Sequence, residues 1–405
     1  MRVKEPPVAS IRSYGLDVDQ QIATIELADG SRHTLPFPRY LTTAEAGLKR
    51  AVYNTENHEF LVTLPMGDEV LLEMVKPGSA SPQPRRPVVY LDQLHWVTLA
   101  QQQWAPEKVP KSERAAGQRL RELARERKIT FAISSANVTE TTQMDGRHRR
   151  HLATTMLGLS RGWQMRNPLA IRTRELRALL LGDDPRVGDP FTLDPGAIFI
   201  DGLKPVDAPA DFPIEWQQLH QNVVAINAFV AAVIEDEKIS HAEGMQMAAK
   251  WAQSHHELAL YMREHHTPKE HVRLNARARL IGDLSSEIQA AASDVGLTQE
   301  RLTEWLEDEL EGDFSRMPYL GRHHEVIHQR LGNADDRWEA NDLTDINYLA
   351  CAAGYADVVV AEKKICEYLN RVEKRVSPGA FVCRKISAAV EHLEIAMSDA
   401  EEPKT

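Results

Sequence analysis

Apolar and polar residues alternate through the first part of the chain and then change period. The stretch 10–37, SIRSYGLDVDQQIATIELADGSRHTLPF, switches character at nearly every position, and HEFLVTL (58–64) and DEVLLEMV (68–75) do the same. A period of two is the mark of strands with one buried face, and Asp29–Gly30 supplies a hairpin turn. These runs predict a small β-rich domain over 1–76. The Pro- and Ser-rich stretch PGSASPQPRRP (77–87) reads as a linker, placed at 77–86.

Beyond it the apolar runs become continuous. PVVYL (87–91) and ITFAIS (129–134) predict strands covered on both faces, separated by a helix over 111–128 with a charged outer face. One long helix is expected from Ala136 through Trp163. From 213 to 331 the pattern is helical throughout. Alternation of strand and helix then resumes: helix 344–354, strand 356–362, helix 363–375, strand 379–384 and helix 386–397. This order predicts an α/β domain with a parallel sheet. Its first part spans 87–212 and its second 332–397, interrupted by a helical insertion at 213–331. The tail, 398–405, is expected to be disordered.

Composition narrows the class. Apolar residues make up 42% of the 405 and charged residues 26%, as in ordinary globular chains. No apolar run is long enough to cross a bilayer, and MRVKEPPVAS lacks the apolar core of a signal peptide, so the cytoplasm is the expected location. Cys351, Cys366 and Cys383 have no CxxC spacing and are expected as reduced, buried thiols. The net charge is −11, yet residues 104–186 hold 17 Lys and Arg against nine Asp and Glu. A basic sector beside an acidic site suits a phosphodiester substrate, which needs both a held backbone and a held cation.

The acids are spaced to provide that site. Asp92 ends the first continuous strand, Glu140 lies on the helix after the second, Asp342 and Asp345 open a later helix in NDLTD, and Glu362 follows VVVA. Carboxylates converging at a sheet edge repel one another unless a hard cation such as Mg²⁺ or Mn²⁺ neutralises them. In order and context these segments resemble the PIN-like nuclease superfamily, over about 87–180 and 335–396. The resemblance implies a PIN-like parallel sheet flanked by helices. It also implies a Mg²⁺- or Mn²⁺-dependent endonuclease acting on nucleic acid, with RNA the expected substrate, as a toxin or defence effector in some settings. Asp92, Glu140, Asp345 and Glu362 match the metal-binding acids, with Asp342 beside them; Asp357, at the other end of the same strand as Glu362, is the alternative fourth acid. The chain departs from the family in having Gln93-Leu94 after the first Asp and Val360 two residues before Glu362. Arg147, Arg149 and Arg150 are candidates to hold flanking phosphates. A homodimer and an inhibitor or effector protein are the partners the family suggests.

Two other readings compete. The departures fit a catalytically inactive PIN-like scaffold that binds nucleic acid or protein. His324-Glu325-Val326-Ile327-His328 matches HExxH, the zinc-protease pattern, with Glu339 as a conceivable third ligand. Its polar flanks, Arg322-His323 and Gln329-Arg330, predict instead a solvent-facing structural helix. Asp342 is expected to cap the helix beginning at Leu343, with Asp345 in the capping-box position.

Overall fold

The computed structural model describes residues 11–35, 48–76, 79–144, 146–200, 214–234 and 242–401. The alternating N-terminal pattern folds as an antiparallel sheet of β1 (Ile11–Asp17), β2 (Ile22–Leu27), β3 (Arg32–Leu35), β4 (Arg50–Asn54), β5 (Glu59–Thr63) and β6 (Glu69–Glu73), in the order β3-β2-β1-β4-β5-β6. Gly30, at φ 82°, closes the β2–β3 hairpin, where Asp29 accepts from the backbone and hydroxyl of Ser31. Every second residue is buried, and Tyr14, Ile25, Tyr53, Phe60 and Leu72 share one core with Trp96, Leu157 and Phe229 of the following helices. The sheet is also fastened at its edge: Glu73 donates its N–H to Arg161 O at 2.7 Å, and its carboxylate accepts from Trp163 Nε1 at 3.0 Å.

The α/β part begins with β7 (Val88–Leu91), α1 (Gln93–Trp104), α2 (Lys111–Arg125), β8 (Thr130–Ala132), α3 (Ser135–Thr142), α4 (Gly146–Ser160), β9 (Gln164–Met165), α5 (Pro168–Leu180) and β10 (Phe191–Thr192). Helices α6 (Ile214–Ile234), α7 (Ala242–Glu264), α8 (Lys269–Asp283), α9 (Ser285–Asp294), α10 (Gln299–Glu304), α11 (Leu310–Phe314) and α12 (Pro318–Leu331) follow. The chain closes with α13 (Asn341–Tyr355), β11 (Val358–Val360), α14 (Lys363–Val372), β12 (Phe381–Cys383) and α15 (Ile386–Glu401). The fold is thus mixed α/β.

Four strands form a parallel sheet in the order β12-β11-β7-β8, and a parallel bridge from Ile133 to Gln164 continues it toward β9. The first strand is therefore central. The chain winds outward on one side through β8, then resumes on the other side with β11 and β12. That reversal lies between β7 and β11, where doubly wound sheets open their binding crevice at the strands' C-terminal ends.

The continuous apolar runs have their reason in this sheet. Val89, Leu91, Phe131, Val358 and Val360 face one core, shared with the N-terminal sheet, α1, α2, α4, α6 and α15. Val88, Tyr90, Ala132, Val359 and Val382 face a second core, shared with α5, α13, α14 and the helices α7–α12. Both faces are covered, so the strand positions are apolar apart from buried Thr130 at the start of β8.

Three expectations are corrected here. The long helix expected from Ala136 to Trp163 is two helices, broken before Gly146, whose φ of 56° a right-handed helix does not allow. The tail is helical as far as Glu401, because α15 continues past Met397; residues 402–405 lie outside the described residues. Helix α12 is not solvent-facing: apart from His328 and Gln329 every residue in it is buried, with α5, α7, α8, α13 and α14 packed around it. Its polar flanks are reconciled with burial by pairing. Arg322 donates to Pro318 O, Ser377 O and Glu373, and Arg330 is ion-paired to Asp336 and Asp342.

The approach of α12 to α13 depends on Gly354, where an added Cβ would stand 2.6 Å from Pro318 O, a backbone atom. Gly354→Ala should lower stability by about 1–3 kcal/mol in denaturant unfolding; an unchanged midpoint would show that the two helices separate freely.

Candidate functional site

Asp92 follows directly on β7 and caps α1, accepting from the N–H of Gln93 at 2.8 Å. Its own N–H donates to Val360 O at 2.9 Å, and its carboxylate also accepts from the backbone N–H of Glu362. Asp92 and Glu362 are thereby set on the two sides of the crevice between β7 and β11. Glu140, in the second turn of α3, is brought over by a stitch between helices: Gln93 Nε2 donates to Thr141 Oγ1 at 3.0 Å, and Asn137 Nδ2 donates to Leu91 O and Gln93 Oε1. Ser134 and Asn137 form a capping box at the start of α3, so their polar atoms hold that helix. Asp345 rides on α13, which is tied to α3 through Ser135 Oγ and Tyr348 OH, 2.5 Å apart.

The electrostatics show that these four acids share one field. Burial raises the Asp345 carboxyl to about 8, aided by the charges of Asp92, Glu140, Asp342 and Glu362. Burial raises Glu140 to about 7, with Asp92 and Glu362 adding to it. Asp92 is also raised, by burial. Among the described residues, none of Asp92, Glu140, Asp345 or Glu362 has a Lys or Arg partner. Glu73 pairs with Arg86, Glu59 with Arg161, Glu287 with Arg172 and buried Glu325 with Arg273, whereas buried Glu175, raised by burial to about 7, has no ion pair among the described residues and accepts three hydrogen bonds instead. The four share a field without sharing a ligand sphere, for among the described residues no three His, Cys, Asp or Glu side chains are grouped so as to hold a metal ion.

The remaining candidates fall elsewhere. Asp342 is one turn before Asp345, but Arg330 Nη2 at 2.8 Å, Lys364 Nζ at 3.3 Å and the Glu339 N–H at 2.6 Å occupy its carboxylate and hold its pKa down. It does not cap the helix as expected; α13 starts at Asn341 with Ala340 at the cap, because Asp342 folds back onto Glu339 from inside the first turn. Asp357 is at the N-terminal edge of the sheet, accepting from the Val88 N–H at 2.7 Å, at the opposite end of β11 from Glu362. Of the arginines on α4, Arg149 is buried and donates to Thr142 O, while Arg150 lines a small cavity with Leu64, Pro65 and Met66. Arg147 is exposed, and none of the three is among the charges acting on Glu140. Part of the basic sector ties elements of the fold together: Arg127 and Arg161 hold Glu59, Arg166 and Arg174 hold Asp189, and Arg119 holds Glu394.

The HExxH residues form a different arrangement. Arg273 donates to Glu325 and lies 3.4 Å from His328 Nδ1, so a guanidinium stands among the side chains a zinc ion would need. Arg375 adds a second ion pair to Glu325, whose carboxyl falls to about 2. His324 is fully buried against Phe314, ring centroids 4.5 Å apart, and burial depresses it to about 4.

Two groups near the acids escaped the sequence reading. His95, three residues after Asp92 and so on the same face of α1, is buried, hydrogen-bonded to the Ala361 backbone and in the field of Glu362. Lys364 is two residues after Glu362. His95 was discoverable from its helical spacing to Asp92, whereas Lys364, two positions from Glu362, was not, because residues i and i+2 do not share a helix face.

No family model, no curated protein and no solved structure matches the chain. Among the described residues, no helix is long and apolar enough to cross a membrane.

The raised carboxyls carry a stability consequence of definite sign. A folded-state value of about 8 for Asp345 lies above its unfolded value near 4, so the folded form keeps a proton the unfolded form gives up. That contribution is complete below the unfolded value and is lost as pH rises through the folded one. Asp345→Asn should therefore melt higher than the wild type at pH 8, by an amount worth about 1 kcal/mol or more, and alike at pH 4. A thermal-melt series with no pH-dependent gap between the two would show that Asp345 is not under this strain.

Proposed function

We propose that the chain is a metal-dependent nuclease of the PIN-like kind, hydrolysing phosphodiester bonds, with RNA as substrate. The observation that carries this reading is a set of four carboxylates without a cationic partner, at the C-terminal edge of a parallel sheet and on both sides of its point of reversal. An all-oxygen donor set with uncompensated charge fits a hard divalent ion in its chemistry. Asp92, Glu140, Asp345 and Glu362 are the residues that would hold it. Bound there, Mg²⁺ or Mn²⁺ supplies water activation and charge stabilisation at phosphorus.

The protein's own residues do the positioning. Asp92 is oriented by two backbone N–H groups. Glu140 is fixed through the α1–α3 stitch and Asp345 through the Ser135–Tyr348 contact. Because Glu140 and Asp345 hold protons near neutral pH, they become full donors only when a positive charge enters or the pH rises. The choice of RNA, and a role as toxin or defence effector, follow the family resemblance of the sequence.

A binding scaffold without catalysis is the second reading, favoured by the lack of a ready-made ligand group among the described residues. Cleavage of labelled RNA and DNA with and without Mn²⁺ decides between them. The wild type should cleave RNA only with the metal, and Asp92→Asn should reduce the rate by about two orders of magnitude or more. Equal rates in the two proteins would remove the site. Absence of any Mn²⁺ binding heat in calorimetry, together with retained RNA binding, would establish the scaffold.

A further inference from the structure

Lys364 and Arg330 share the same two carboxylates, Asp336 and Asp342, and Lys364 also donates to Arg337 O at 3.3 Å. Its Nζ is 2.8 Å from Asp336 Oδ1 and 3.3 Å from Asp342 Oδ1. Both acids have other partners. Asp342 keeps Arg330 Nη2 at 2.8 Å and the Glu339 N–H at 2.6 Å; Asp336 keeps Arg330 Nε at 3.2 Å and the Tyr368 hydroxyl at 2.7 Å. Arg330 is buried and stacked on Trp338, its guanidinium carbon 4.1 Å from the ring centroid, so it is the fixed cation of the pair. Lys364 is the removable one: its side chain is 43% exposed where those of Asp336 and Asp342 are 14% and 11%. If it swings away, neither acid is left without a partner.

Its place on the fold gives that mobility a use. Lys364 lies in the first turn of α14, two residues beyond Glu362, and touches Asp342, whose charge is felt by Asp345. Of the arginines of α4, expected from sequence to hold phosphates, Arg149 is buried and Arg150 lines a separate small cavity, leaving Arg147 exposed but not among the charges acting on Glu140. Resting on the nuclease reading above, we infer that Lys364 leaves Asp336 and Asp342 to hold a backbone phosphate of single-stranded RNA next to the cleaved bond. A lysine suits this better than the fixed arginine, since a compact ammonium on a flexible stem can exchange one oxyanion for another. It is a substrate-binding residue that sets how the strand lies over the four acids.

The test uses the full chain carrying Asp92→Asn, so that binding is read without turnover, and a labelled single-stranded RNA in fluorescence anisotropy across a salt series. Lys364→Met should weaken binding about tenfold and lower the slope of log affinity against log salt by about 0.7, the value for one phosphate contact on a single strand. Lys364→Arg should restore most of both. In the otherwise wild-type enzyme the Met variant should raise KM more than it lowers kcat, with Mn²⁺ affinity and melting temperature unchanged. Wild-type affinity and salt slope in Lys364→Met, in a protein that cleaves RNA, would overturn the proposal alone. Parallel loss of melting temperature and Mn²⁺ affinity would overturn it too, by making Lys364 a clamp. A wild type that neither binds nor cleaves RNA would remove the nuclease reading first, and this proposal with it.

Discussion

The pairing of Val88–Leu91 with Val358–Val360 is the contact on which the candidate site depends. The two strands run parallel in register, and the pairing is closed at both ends by hydrogen bonds from flanking residues: Asp357 accepts from Val88 N–H, and Asp92 donates its N–H to Val360 O. One end of this zip is an ordinary structural use of a carboxylate. The other delivers Asp92 and the Glu362 backbone to the same spot. The same strand thus begins and ends with an acid, and sheet polarity gives the two opposite fates.

Around that pair the sheet divides the molecule into two cores, and the acids arrive from both. Glu140 belongs to α3, between the sheet and α6; Asp345 belongs to α13, packed on α12 and α5. Helix α12 anchors the second group. Its N-terminus is capped by buried Glu175, which accepts from Tyr319 N–H, Leu320 N–H and Tyr355 OH, and its C-terminal Arg330 reaches Asp342 at the start of α13. The helices between β10 and α13 therefore bear on the site. Through α12 they fix where α13 begins, and with it the position of Asp345 over the crevice.

Much of this was legible in the sequence, and the part that was not has a common cause. An acid directly after an uninterrupted apolar run, as at Asp92, marked the C-terminal end of a buried strand, and the period-two runs identified the antiparallel sheet with its Asp29–Gly30 turn. The burial of α12 was hidden because Arg322, Glu325 and Arg330 look like surface residues until their partners, up to 55 positions away, are known. Asp342 was misread for the same reason: its local spacing suggests a cap, whereas Arg330 and Lys364 draw it into an ion-pair cluster. The charge count of 104–186 likewise could not reveal that Arg127, Arg161 and Arg166 are tied to acids on other elements. Periodicity reports which face is apolar; it carries no information about which charged residue meets which.

Because β7 is central yet its neighbour β11 is encoded some 270 residues later, the strand spends synthesis with one flank open. At translation speeds of 5–20 residues per second, that interval lasts on the order of ten seconds or more. A bare apolar strand edge is a place for stray β-pairing, so the nascent chain has reason to engage a chaperone there. The same delay leaves Asp92, Glu140 and Asp345 without the charge of Glu362 until that residue too has left the ribosome.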